Sequence, residues 1–516
     1  MEKFISKHQN EIDGTLSMYD RIIFRGHLTG LYRPDGFKRF LDKQGVLLKD
    51  FKAYVTNTTE ELKAEFKNMA SQAGRPYIYF DRAVTKATAG QSKEEFAKAI
   101  AASDGVTEGL ICIFSTLEIC RTFTVRGNRQ THKLEIVRKR SKCLHFYCYY
   151  LDREFGLMHV RLQSWFPFTI QVYINGREWL GRQLQEQGIQ AERYDNCFLS
   201  IDDLPTAQQL CQRFAHREWH RVLDAFARRV NTKLAMVETA GCGTYYWVTD
   251  QCEVAIDVMF KSRQHLERIL PDLVCAATLD FSCENVMRFL GRKLHGNFTG
   301  EVTTRARKRP EGWCVRHSMA GNSIKMYDKY SVLRIETTLN NSHEFKILKR
   351  IGNEWRWVPM GKGVANIWRY YEVATQADWR YLNALANVDL KGEAIQELDD
   401  LCRSHTKKGK RYAKFNPVTK NDCELFAAVM AGEHIINGFR NHDLIARLYD
   451  SPPASPTEAK QRCARISRII AKLRGHNLIA KVKNSRLYRI TARGYRLMSA
   501  ALSFRLTLYP KALQTQ

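Results

Sequence analysis

The sequence predicts an α+β chain of several domains: an N-terminal α/β region, a central domain built on an antiparallel sheet, and a C-terminal helical module closed by a short basic hairpin. Three observations predict it. Residues 1–130 alternate helical and strand patterns, residues 131–400 carry long aromatic and β-branched runs, and a basic stretch at 401–420 reads as a linker before residues 421–516. A chain of 516 residues is also long enough for roughly three domains.

In the first region, apolar periodicity gives helices over Phe4–Met18, Pro34–Lys43, Thr58–Ala73 and Ser92–Ala101, with Arg21–Gly26, Tyr77–Phe80 and Leu110–Phe114 as buried strands. Ser92 and Glu95 form an S-x-x-E capping box for the last of these helices. In the central region, Lys142–Asp152, Leu157–Trp165 and Phe168–Gly176 read as strands, the first two joined by the turn Asp152–Gly156. A second β-section begins at Gly243–Ser262. After a helical stretch, Gly312–Asn341 reads as consecutive antiparallel strands, and a helix follows over Val364–Leu385.

Charge narrows the partner. The chain carries a net +27, and the 58 residues from Ala459 onward hold 14 Lys+Arg and no acid. A surplus concentrated in this way points to a polyanion, nucleic acid first. No apolar run approaches a membrane span, and the N-terminus lacks the apolar core of a secretory signal. The expected setting is the bacterial cytoplasm, associated with the nucleoid when bound. The 14 cysteines never form C-x-x-C and sit mostly in apolar surroundings, so reduced core cysteines are expected rather than disulfides or structural zinc. No G-x-x-x-x-G-K-[ST] occurs, which argues against a Walker-type ATPase. His216 and His220 in HREWH stand at i, i+4, but Arg217 holds the place a zinc peptidase needs for glutamate, so an ordinary helix face is expected. The aromatics of His145–Tyr150 and Ser164–Phe168 could stack unpaired bases, although alternation puts about half of them in a core.

In the tail, short helices are expected at Glu424–Ala431 and His442–Leu448. Ser455-Pro456-Thr457-Glu458 is a strong helix start, and the helix it opens runs to about His476 with Ile466, Ile469, Ile470 and Leu473 as its apolar face. Two strands joined by Asn484-Ser485 and a last helix follow. The segment LRGHNLIAKVKNSRLYRITARG resembles the recognition-helix end and wing of bacterial winged-helix DNA-binding domains, over about 90 residues. The resemblance implies that Arg462, Arg465, Arg468 and Lys472 face a major groove, and that Lys481, Lys483, Arg486 and Arg489 on the wing meet phosphate or the minor groove.

In the middle, GNSIKMYDKYSVLRIETTL (Gly321–Leu339) resembles the Y-D-K … R-x-E strand pair of plasmid and phage rolling-circle replication initiators, and CEVAIDVMF (Cys252–Phe260) resembles their acidic strand. The layout is also similar to that of multi-copy bacterial mobile-element proteins. The resemblance implies metal-dependent nicking by a tyrosine, with Asp328 and Glu336 as ligands of Mg2+ or Mn2+, joined by Asp257 or Glu253, and with Lys329 and Arg334 holding the phosphate. The chain departs from the initiators in having no H-x-H; His145 and His159, on adjacent strands, are the candidate imidazoles, though a strand histidine is more often a core residue. Tyr370, Tyr371 and Tyr381 lie on the next helix, and no nucleophile is assigned. The expected function is therefore a replication-initiator- or transposase-like protein that binds duplex DNA, and single-stranded DNA or RNA as further partners. Its alternative is a non-catalytic DNA-binding regulator or RNA-binding component.

Overall fold

The computed structural model describes residues 2–81, 91–292, 300–309, 312–386, 392–407, 409–483 and 485–508. It divides into two compact units: Met1–Arg268 with Cys283–Asn383, and Ile269–Ser282 with Ala384–Gln516.

The first unit is organised by one sheet. In chain order its strands are β1 (Ile12–Leu28), β2 (Tyr77–Tyr79), β3 (Gly109–Asn128), β4 (Lys133–Asp152), β5 (Gly156–Gln163) and β6 (Ile170–Asn175). A separate hairpin, β7 (Ala191–Tyr194) and β8 (Cys197–Ile201), comes next. The sheet then resumes with β9 (Tyr245–Phe260), β10 (Val302–Arg309), β11 (Gly312–Met319), β12 (Asn322–Lys329) and β13 (Val332–Leu339). Its eleven strands run in the order β10-β11-β12-β13-β9-β1-β6-β5-β4-β3-β2. Every neighbouring pair is antiparallel except β2 and β3.

Two expectations are corrected here. The helix expected over Phe4–Met18 is a short helix, Glu2–Lys7, followed by β1 from Ile12. Leu16 and Met18 alternate with Ser17 and Tyr19 at period two, and pairing with both β6 and β9 overrides the helical reading. The boundary expected at 130/131 falls in the turn between β3 and β4, whose ladder joins Gly109–Asn128 to Lys133–Asp152. The N-terminal region and the strands after it are thus one sheet, with β1 near its centre.

The two faces of this sheet differ. Ile22, Phe24, Phe146, Val160, Leu162, Val172 and Ile174 are buried on one face. Helices cover them: Phe66 of Phe51–Gln72 stacks on Phe146 at 4.2 Å, and Trp219 of Trp219–Val230 meets Phe24 at 5.1 Å. The helix Ile367–Leu385 packs on the same face, its Tyr371 hydroxyl donating to the Ser17 carbonyl at 2.9 Å. The opposite face is polar over much of its width, and the helix Lys93–Ser103 covers one end of it, with Phe96 stacked on Phe114. The Ser92–Glu95 capping box forms as expected.

The second unit contains the helices Lys420–Val429, Asn441–Leu448, Pro456–Gly475 and Ala492–Ser503 and the paired strands Ile479–Lys481 and Tyr488–Ile490. A bridge from Phe439 to Tyr488 adds a third extended segment beside them. Ser455 caps the long helix by accepting from Glu458 N at 3.2 Å. Ile466, Ile470 and Leu473 turn into a core with Phe426, Val429, Phe439, Leu478 and Met498. The expected linker is part of this unit: Leu401 and Phe415 are buried in the same core, and His405–Lys407 pairs with Lys410–Tyr412. Asn484 of the expected inter-strand turn lies outside the described residues. No helix among the described residues is long and apolar enough to cross a membrane.

Candidate functional site

A break in register builds the site. Along β1 and β9, Tyr19 pairs with Val254 and the next pair is Ile22 with Cys252, so Asp20 and Arg21 together oppose Glu253. Such a bulge adds one unpaired residue and re-aims side chains, and here it turns both charges onto the polar face. The neighbouring ladder sets Arg334 opposite Asp257 and Glu336 opposite Ala255, and β12 places Lys325 beside Glu336 and Tyr327 beside Arg334. Four adjacent strands thereby bring one dense set of charges together.

Asp20, Glu253 and Glu336 are all buried and offer carboxylate oxygens within 4.8 Å of one another. Each is held by a cation. Arg334 donates to Asp20 Oδ2 at 2.7 Å and Arg177 to Oδ1 at 2.9 Å. Arg21 donates to Glu253 Oε2 at 2.7 Å, and Gln251 to Oε1 at 2.7 Å. Lys325 pairs with Glu336 Oε1, and the Tyr327 hydroxyl donates to Oε2 at 2.8 Å while accepting from Asn196 at 2.7 Å. Burial pushes the Asp20 carboxyl up, but Arg334 and Arg177 outweigh it and hold it below its ordinary value. Glu253 goes the other way: burial and then Glu336 raise it, against the pull of Arg21. The group lies against a cavity of about 520 Å³ whose lining includes Lys98, Arg309 and Lys329.

The expected ligand trio does not assemble. Asp257 has no exposure, accepts from Arg334 at 2.6 Å and from Phe198 N at 3.2 Å, and is raised by its burial. Asp328 sits at the end of β12, accepts from Trp313 N at 3.1 Å and is likewise raised by burial. Of the three, only Glu336 belongs to the convergent carboxylates, with Glu253, the alternative to Asp257, beside it. Arg334 is locked between Asp20 and Asp257, and Lys329 pairs with Asp195 at 2.7 Å, so neither cation is held ready for a phosphate. Tyr370, Tyr371 and Tyr381 are on the helix that covers the other face, with Tyr371 bonded to Ser17; the tyrosine bonded to the carboxylates is Tyr327. Asp20, Arg21 and Arg177 were missing from the sequence reading. The one visible signal for the first two is the adjacent charged pair Asp20-Arg21 between the apolar Met18-Tyr19 and Ile22-Ile23; Arg177 carries none.

The histidines stand apart from this group. His145 is buried, bonds the Cys143 carbonyl through Nδ1 at 3.1 Å, and is pushed down to about 4 by burial and by Arg161. His159 stacks on Tyr173 at 4.9 Å. His216 and His220 do not share a helix face, because Leu204–Ala215 ends before His216 and the next helix starts at Trp219. Cys120 and Cys143 are disulfide-bonded across β3 and β4, against the expectation of reduced thiols throughout; the other twelve cysteines are free. His145 Nε2 or Nδ1 lies within 4.8 Å of both sulfurs.

In the second unit, the expected DNA-facing residues divide. Arg465, Arg468, Lys481, Lys483, Arg486 and Arg489 are exposed, and none is in a salt bridge among the described residues. Arg462 instead lies 4.4 Å over the Tyr449 ring and donates to Glu458 at 2.6 Å, and Lys472 sits 3.7 Å over Phe415. At 100° per residue, Arg462 projects beside Ile466 and Leu473, whereas Arg465 and Arg468 project away from the core.

No known protein family, curated protein or solved structure matches this chain.

Proposed function

We propose that this chain is a nucleic-acid-binding protein of a mobile genetic element, replication-initiator- or transposase-like, that takes duplex DNA through its C-terminal unit as a winged helix. The observation that carries the reading is the set of six exposed cations, Arg465 and Arg468 on one helix and Lys481, Lys483, Arg486 and Arg489 on the following hairpin, with no acid within the last 58 residues. Ordinary solvated faces mix signs, whereas a phosphate-binding face need not. The order helix, extended residue Phe439, helix, long helix, hairpin also supports the winged-helix assignment.

The proposal places strand nicking at Asp20, Glu253 and Glu336 rather than at the trio expected from sequence. Their hard oxygens suit Mg2+ or Mn2+, which when bound would neutralise charge at a phosphate. Glu253 and Glu336 would hold such an ion once Lys325 and the half-exposed Arg21 swing aside, while Asp20 keeps the buried Arg334 and the largely buried Arg177 beside it. Those two arginines orient Asp20, and Glu336 is placed to accept the Tyr327 proton. A second reading, a non-catalytic DNA-binding regulator, is favoured by one observation: each of the six carboxylate oxygens already has a protein partner.

Two measurements test these readings. Anisotropy of labelled duplex DNA across a salt titration should show binding that weakens with salt, and Arg465→Ala with Arg468→Ala should lower the salt slope by about one each. Unchanged affinity and slope would retire the docking assignment. Supercoiled DNA with Mn2+ should be nicked by wild type and not by Glu336→Gln, whereas Asp328→Asn should retain activity. A wild type that binds DNA but never nicks it assigns the chain to the second reading.

A further inference from the structure

We infer that the hairpin Lys346–Ile351 with Glu354–Pro359 is a stacking finger for unpaired nucleic-acid bases. The inference rests on the nucleic-acid reading above and gives that activity a second site, on the first unit, for single strands.

The hairpin is a two-stranded sheet separate from the main one. Its base is anchored by Ile347, Phe345 and Met360, all buried, and nearly all the rest is exposed. The register pairs Arg350 with Trp355, Leu348 with Trp357 and Lys346 with Pro359. Residues two apart on a strand share a face, so Trp355, Trp357, Leu348, Arg350 and Lys346 present one surface. Trp355 is 66% exposed and Trp357 58%, more than any other aromatic residue described. An isolated two-stranded hairpin carrying two open indoles gains nothing for its own stability by that placement.

Charge selects the occupant. Lys346, Lys349 and Arg350 have no ion-pair partner among the described residues, and the hairpin's one acid, Glu354, is taken by Arg356 at 2.7 Å. Arg369 stands 5.8 Å from the Trp357 ring and donates to the Lys346 carbonyl at 3.2 Å, which steadies that indole from the base. Open aromatic faces interleaved with unpaired cations suit a strand whose bases stack and whose phosphates are drawn to the cations. Paired bases in a duplex offer no such faces. The two indoles are spaced by about 7 Å along the strand, enough to receive successive splayed bases.

The sequence places candidate base stacking on the aromatics of β4 and of the segment Ser164–Phe168 after β5. Phe146, Phe166 and Phe168 have no exposure, Tyr149 and Tyr150 are buried, and Tyr147 and Trp165 are half-buried against the same cores. The exposure of Trp355 and Trp357 has no signature in the sequence, because tryptophans at i, i+2 in a strand read equally well as a buried face.

The test uses the full chain and fluorescein-labelled oligo(dT) and oligo(U) of about twelve nucleotides, read by anisotropy, with a labelled duplex in parallel. Trp355→Ala and Trp357→Ala should each weaken single-strand binding by about tenfold or more. They should leave duplex binding unchanged. Arg465→Ala with Arg468→Ala should do the reverse, so failure of the finger and failure of the tail are separate results. The oligo(U) arm reports whether the finger distinguishes ribose. Circular dichroism confirms that the exposed substitutions leave the fold intact. Wild-type affinity of both tryptophan variants for both oligomers overturns the inference. So does a concentration-dependent dimer by sedimentation that Trp357→Ala abolishes, because the surface is then covered by a second copy of the chain.

Discussion

Arg334 on β13 and Asp257 on β9 face each other directly across the ladder, and their side chains meet at 2.6 Å with no solvent exposure on either. Arg334 also holds Asp20 at 2.7 Å, so one guanidinium joins three central strands. Removing one partner of a buried pair strands the other charge in a low dielectric, at a cost of about 3–5 kcal/mol. Arg334→Ala should therefore lower the urea midpoint strongly. Lys329→Ala removes a pair whose aspartate is 62% exposed, which is worth less than about 1 kcal/mol. Equal losses for the two variants in urea denaturation would contradict the inequality.

The buried histidine gives a pH signature. His145 is pushed down to about 4 in the folded chain by burial and by Arg161, against an ordinary value of about 6.5. Between those values the unfolded chain binds a proton that the folded chain refuses, so this contribution to stability falls as pH falls from about 6.5 toward 4. Glu253 and Asp257, both raised, act in the opposite sense as they approach protonation. The comparison of wild type with His145→Gln isolates the imidazole. Relative to wild type, the variant should gain about 2 kcal/mol between pH 7 and about pH 4.5. A difference that stays flat across that range in urea melts would show that His145 is not held neutral.

Much of the sheet was legible in the chain, and the reason is local. Gly312–Asn341 and Gly243–Ser262 are flanked by turn residues and rich in β-branched and aromatic side chains, so they read as the strands they form. The start of β1 reads as helix because Ile5, Ile12 and Leu16 stand at helical spacing while Leu16 and Met18 alternate, and only pairing to β6 and β9 decides between the two. The site was legible in part. Glu336 and Arg334 lie in a recognisable strand, but Asp20 reaches them across 314 residues of chain through a bulge that no periodicity announces. Asp257 and Glu253 stand on the same strand and the sequence leaves both open; it is the full burial of Asp257 that commits it to Arg334 and leaves Glu253 to the convergent carboxylates.

The disulfide offers a check on the β3–β4 ladder. Cys120 and Cys143 are 23 residues apart, and the cross-link closes the hairpin between them. In the loop-entropy account such a closure contributes about 3 kcal/mol. Dithiothreitol should lower the urea midpoint of wild type by a corresponding amount. The double variant Cys120→Ser with Cys143→Ser should match the reduced protein and ignore the reductant. A wild type indifferent to reductant would show that the bond does not persist in solution.

Arg462 separates folding from binding in the C-terminal unit. Its guanidinium lies 4.4 Å over Tyr449 and donates to Glu458 and to the Ser451 carbonyl, both at 2.6 Å. A cation held this way is part of the packing between the long helix and the turn before it. Arg462→Ala should cost about 1–2 kcal/mol through the lost ring contact and hydrogen bonds. Its effect on the duplex salt slope should be smaller than that of Arg465→Ala, because Arg465 is exposed and has no ion-pair partner among the described residues to give up. Thermal melts and salt titrations on the same two variants decide the point. A loss of salt slope for Arg462→Ala equal to that for Arg465→Ala would mean that the guanidinium leaves Tyr449 to meet phosphate.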